Sequence, residues 1–160
     1  MWLVAVLLAG LTLTAAAQER DRSKIPDKYK WNLADIYPSD TAWRAAKDNS
    51  TAEIPQLKQY QGRLASSASV LADALEKMSA LDKELSREYV YASMLADQDS
   101  RDATHQGMKQ EMVQSYADFQ AEAAYIEPEI LKADRATIDR FVASEPRLGV
   151  REGVSRALIV

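Results

Sequence analysis

The residue types that most often carry chemistry are few in this chain, and their spacing is the first thing to weigh. There is one histidine, His105, in the context Thr104-His105-Gln106-Gly107. A zinc site of the H-E-x-x-H kind needs two histidines one helical turn apart with a glutamate beside the first. His105 has neither partner, so it reads as a solvent-exposed residue near a helix start. Asp97, Asp99 and Asp102 cluster nearby. Counted from Asp97, the positions where a calcium loop needs glycine and glutamate hold Asp102 and Met108, so that motif fails. The cluster reads instead as a helix end, a turn and an acidic start to the next helix, where negative charge is favourable. Glu127 and Glu129 flank Pro128 and could form an acid–base pair. No nucleophile or histidine accompanies them. Asn49-Ser50-Thr51 fits a glycosylation acceptor but falls inside an expected helix. No residue is therefore assigned a catalytic, cofactor-binding or metal-binding role.

Composition narrows the classes further. The net charge is −4 over 160 residues, which argues against nucleic acid as a partner. There is no cysteine, so disulfides, thiolate zinc sites and cysteine nucleophiles are excluded. Strong helix formers dominate after residue 40, and the chain reads as all-α.

The elements follow from apolar spacing and from breakers. Trp2–Leu13 is an uncharged apolar run followed by Ala15-Ala16-Ala17, which fits a signal peptide over 1–17, cut before Gln18. The run is short for a bilayer span, so no membrane span is expected after cleavage; an uncleaved anchor and a mis-assigned start are the alternatives. Residues 18–24 read as a flexible leader. From Ile25 to Trp43 runs a non-helical stretch with Tyr29, Trp31, Leu33, Ile36 and Tyr37, bracketed by Pro26 and Pro38. It reads as an extended aromatic segment stapled across a helical body. Ser39 or Asp40 can cap a first helix. Pro55 should kink or end it near Glu53, and Gly62 should stop it. A second helix is expected from Ala68 to Ala96, about 43 Å long at ~1.5 Å per residue. Its apolar stripe is Val70 or Leu71, then Leu75, Met78, Leu81 or Asp82, Leu85 and Tyr89. The third carries Met108, Met112, Ser115 or Tyr116, Phe119, Ala123 and Ile126, and Pro128 should end or kink it. Asp134 can cap a last helix bearing Ile138, Phe141 and Val142. The second and third helices should be antiparallel neighbours across a short polar turn. The expected architecture is an elongated antiparallel helical hairpin or bundle.

The aromatic stretch also carries a resemblance. Ile25-Pro26-Asp27-Lys28-Tyr29-Lys30-Trp31-Asn32-Leu33-Ala34-Asp35-Ile36-Tyr37-Pro38-Ser39-Asp40, with Trp43, resembles the opening of the oligoendopeptidase F family, zinc metallopeptidases of the thimet-oligopeptidase type. Glu53–Leu57, Tyr60–Leu64, Tyr89–Met94 and Phe119–Leu131 look like the helical region that follows in that family. The match runs over about residues 24–149. It implies that residues 25–146 are an N-terminal helical domain, part of the wall and lid of a substrate channel that admits short peptides. Residues 147–160 depart from the pattern and read as a truncated or frame-shifted tail. The resemblance implies zinc for the full-length family and none for this chain, which is expected to be inactive alone. It implies a missing or separate catalytic zinc domain as partner, and oligopeptides as possible ligands. The signal sequence implies export to the periplasm or the extracellular space. The alternative is a freestanding exported helical module that binds a protein or peptide.

Overall fold

The structure, a computed structural model, describes residues 24–149. The expected signal peptide, the leader before Lys24 and the tail from Val150 onward lie outside the described residues. The chain divides into two compact units, residues 1–32 and 33–160. Within the described part of the first, Asp27–Tyr29 forms a 3-10 turn. It is closed by Tyr29 N–H to the Pro26 carbonyl at 2.9 Å and by a Lys30–Asp27 ion pair at 2.9 Å. Tyr29 and Trp31 are exposed.

The second unit is built from six α-helices among the described residues: α1 Asp40–Glu53, α2 Ala68–Gln98, α3 Ala103–Ala123, α4 Ile126–Lys132, α5 Arg135–Ser144 and α6 Pro146–Gly149. No strand occurs among the described residues. The helix starts are set by local chemistry. The hydroxyl of Ser39 accepts from Ala42 N–H and that of Ser67 from Val70 N–H, both at 3.2 Å. Asp102 Oδ1 accepts from Thr104 and His105 N–H, at 2.8 and 3.2 Å. Asp134 Oδ2 accepts from Thr137 N–H at 3.2 Å. Such caps satisfy donors that have no partner within the first turn.

Pro55 has no N–H to give the α1 ladder. The helix ends at Glu53 and the chain tightens into a 3-10 helix over Ile54–Tyr60. Gly62 then takes φ +76°, a left-handed conformation that favours glycine and turns the chain back toward α2. Pro128 falls in the first turn of α4, where a missing N–H costs little, so it opens that helix rather than ending one.

The 31-residue α2 is the spine of this unit, with a separate apolar cluster on each half. Its N-terminal half packs Leu71, Ala72, Ala74 and Leu75 with Leu64, Ile126, Ile130, Ile138 and Leu148. From Leu81 onward α2 packs Leu81, Leu85, Tyr91 and Ala92 with Trp43, Leu57, Met108, Met112 and Phe119. Met78 and Ala123 touch both clusters. The four-residue turn after Gln98 returns α3 antiparallel to α2. Ser86 Oγ meets Tyr116 Oη at 2.6 Å, and Gln106 Nε2 donates to the Ala96 carbonyl at 3.0 Å. The Leu33–Asp35 3-10 turn leads into Tyr37, which stacks edge-on to Tyr91 at 5.4 Å beneath Arg87. Arg147 and Leu148, the first residues of the expected tail, lie on α6 and hold to this body. Leu148 is buried, and Arg147 pairs with Asp73 at 2.7 Å and Glu76 at 3.0 Å on α2.

Trp43 has no exposed surface, and its Nε1–H donates to the Glu88 carbonyl at 3.0 Å. Trp43→Ala is expected to lower unfolding free energy by about 3–5 kcal/mol. Trp43→Phe, which keeps most of the ring but not the donor, should lose about 1–2 kcal/mol. Urea unfolding followed by circular dichroism separates the two; an alanine variant within 1 kcal/mol of the parent, well short of ~3, contradicts the packing described.

Candidate functional site

The groups able to do chemistry are distributed as ties between helices. Expected to be solvent-exposed, His105 is instead partly buried, with its ring between two helix N-termini. Its Nδ1 lies 3.1 Å from Asp102 Oδ2 and its Nε2 3.3 Å from Asp40 Oδ2. Tyr91 O–H donates to the other oxygen of Asp40 at 2.9 Å. Burial and that carboxylate push the Tyr91 hydroxyl up to about 12. The network joins α1, α2 and α3. The two ring nitrogens face different carboxylates, so the histidine and the aspartates do not converge on one point. Among the described residues no group of three or more histidine, aspartate or glutamate side chains is placed to hold a metal. The described residues do not fit the zinc that the resemblance implies for the full-length family.

The acidic turn and Glu129 are similarly occupied. Asp99 chelates Arg101, at 2.8 Å from both Nε and Nη2, and Asp102 caps α3. Glu129 accepts from Gly62 N–H and Leu64 N–H, both at 2.7 Å, one on each carboxylate oxygen. It therefore locks the turn before α2 to α4. Glu127 is exposed and takes no part in this clamp. Ser50, in the discounted glycosylation tripeptide, is buried inside α1.

The sequence reading missed Glu88. It occupies a core position of α2 and is fully buried. Ser50 O–H donates to its Oε1 at 2.7 Å, whereas Oε2 has no protein partner. The buried hydroxyl of Tyr37 also lacks one. Burial is the main cause that raises the Glu88 carboxyl above the ordinary value of 4.5. The Ser50 hydrogen bond opposes it, as do Lys47 on α1 and Arg87 on α2, while Glu84 adds to it. Across α1 and α3, Glu111 is in the opposite state. Arg44 grips both of its oxygens at 2.7 and 3.2 Å and Lys47 adds a bond at 2.9 Å. These cations hold its carboxyl below the usual range, the Arg44 bond first.

A dent of about 490 Å³ lies between the turn at Gln61 and Gly62 and helix α4. Ala65, Tyr125 and Glu129 are on its wall. Tyr125 O–H donates to the Leu57 carbonyl at 2.7 Å, and burial with nearby Glu129 pushes that hydroxyl up to about 12.

Comparison with known proteins now assigns the class. No protein-family model matches the chain. It is 33% identical over 150 residues to Oligopeptidase PepF of Bacillus subtilis, covering 92% of this chain and 22% of that protein. It is 32% identical over 130 residues to the plasmid oligoendopeptidase F of Lactococcus lactis, covering 81% of this chain and 22% of that protein. Among solved structures, oligoendopeptidase-F from Enterococcus faecium superimposes with a TM-score of 0.69 at 24% identity, over 75% of this chain and 24% of that one. A putative peptidase from Chlamydophila abortus does so with a TM-score of 0.69 at 21% identity. The fold is thus that of one helical part of a peptidase. The chain is homologous to part of oligoendopeptidase F, the family its opening resembles, and spans about a fifth of the length of these curated relatives.

The raised carboxyl of Glu88 has a definite sign. The folded state favours its neutral form, so its contribution is complete below the ordinary value of 4.5 and is lost as pH rises through the higher folded value. Glu88→Gln, which stays neutral, should lose none of this. The stability difference between the parent and this variant, measured by urea unfolding from acid to neutral pH, should shift toward the variant as pH rises. A difference independent of pH contradicts a buried neutral carboxyl.

Proposed function

We propose that this chain is the N-terminal helical part of the substrate-channel wall and lid of an exported oligoendopeptidase F-type zinc peptidase. It shapes access for short peptides and leaves the cleavage chemistry to a zinc-bearing part that this sequence does not contain. The observation that carries this reading is the near-complete match of the chain to about a fifth of its peptidase relatives, combined with a single histidine that cannot form a zinc pair. The geometry supports it. His105, Asp99, Asp102, Glu111 and Glu129 are all held in contacts between or within helices, as befits a shaped scaffold. Export rests on the apolar run before Ala15 and the small residues at Ala15 and Ala17. N-terminal sequencing of the secreted product should begin at Gln18.

The purified chain should neither retain zinc through dialysis nor hydrolyse oligopeptides. Grafting residues 25–146 in place of the matching stretch of the Bacillus subtilis relative should give a hybrid that binds zinc and cleaves short peptides in a chelator-sensitive way. A hybrid that folds by circular dichroism and holds zinc, yet cleaves nothing, contradicts the proposal. So does stoichiometric zinc with chelator-sensitive cleavage by the chain alone.

A further inference from the structure

The dent beside α4 has a charge arrangement that the helix ties leave incomplete. Glu129 and Lys132 are three residues apart and line the same hollow. At that spacing on a helix two side chains are neighbours and ordinarily pair. Here they do not. Both oxygens of Glu129 are committed to Gly62 N–H and Leu64 N–H, each at 2.7 Å, which fixes the carboxylate against the turn. Lys132 pairs with no carboxylate among the described residues, and the side-chain amide of Gln61 opposite it is also unengaged. Each Glu129 oxygen retains a second lone pair, so the carboxylate can still accept from a ligand. The same hollow is lined by the small apolar residues Ala65, Pro128 and Ala133. The Tyr125 ring beside them is held by its bond to the Leu57 carbonyl.

We propose that this hollow binds a short peptide in its zwitterionic form, a dipeptide with small apolar side chains. The ammonium meets Glu129, the carboxylate meets Lys132 and Gln61, and the side chains lie on Ala65, Pro128 and Ala133. A simple anion would have to sit beside the Glu129 carboxylate, and a simple cation beside the Lys132 ammonium. A ligand carrying both charges satisfies both ends. A volume of about 490 Å³ lies within the usual range for small-molecule sites. The physiological sense of such a site rests on the peptide-channel reading above, as a place where short products or competing peptides are held.

The test is a titration of the full chain with alanyl-alanine, followed by amide chemical shifts. Saturable changes are expected at Gln61, Gly62, Ala65 and Ala133. N-acetyl-alanyl-alanine and alanyl-alanine amide, each lacking one charge, should bind about tenfold more weakly or worse. Lys132→Gln, at an exposed position, should weaken binding of the zwitterion by about tenfold with an unchanged melting temperature. No saturable change in the parent chain at millimolar dipeptide overturns the proposal. So does equal binding of the capped forms, or an unaffected Lys132→Gln variant. The hybrid peptidase contains no step that depends on this measurement, so failure here leaves the channel-wall reading to be judged on cleavage.

Discussion

Trp43, Glu88 and Ser50 form the contact on which the rest of this helical body depends. The Trp43 indole fills the space between α1 and α2 and donates to the Glu88 carbonyl, while Ser50 donates to the Glu88 carboxyl. Both bonds come from α1 and both end on one residue of α2. Removing a carboxyl from water is costly, and one hydrogen bond offsets only part of that cost. The packing around it is close, and burial raises the carboxyl above its ordinary value, so the neutral form is favoured relative to an exposed glutamate. Leu85 below and Ala92 above complete that packing, and both have no exposed surface.

From this seam the architecture extends in two directions along α2. Toward its C-terminal end α3 returns through the Asp99–Asp102 turn and lays Met108, Met112 and Phe119 over the same cluster. Toward its N-terminal end α4, α5 and α6 cover a second cluster, held by the Glu129 clamp and by Arg147 on Asp73 and Glu76. Residue types that elsewhere act as acids, bases and ligands serve here as connectors. The body so held together matches about a fifth of the length of its peptidase relatives.

The helices and their ends were readable from the sequence because they depend on neighbours in the chain. Ser39 and Asp134 cap where their side chains can reach the next turn, Pro55 breaks α1, and Gly62 reverses the chain. The family was readable from the aromatic run opening at Ile25, whose length made it specific. Glu88 was not, because a polar residue on an apolar stripe reads as an interruption until Ser50 and Trp43 are known to meet it. His105 appeared exposed because Asp40, the carboxylate that closes over its Nε2, is identified only once α1 and α3 are side by side. The hollow at Lys132 had no sequence signal at all. It is made by Gln61 and α4, which lie far apart in the chain and are brought together by the Glu129 clamp and by Leu64 packing on Ile126 and Ile130.

The most direct measurement of this account is hydrogen exchange at the Trp43 indole Nε1–H, read by nuclear magnetic resonance beside the exposed Trp31 indole. If the Trp43–Glu88 seam holds the body together, this proton exchanges only when the whole unit opens. Its exchange free energy then equals the unfolding free energy measured with urea and falls with it in destabilised variants. Exchange as fast as that of Trp31, in a chain whose α2 and α3 amides remain protected, would show that α1 opens independently and would contradict the account.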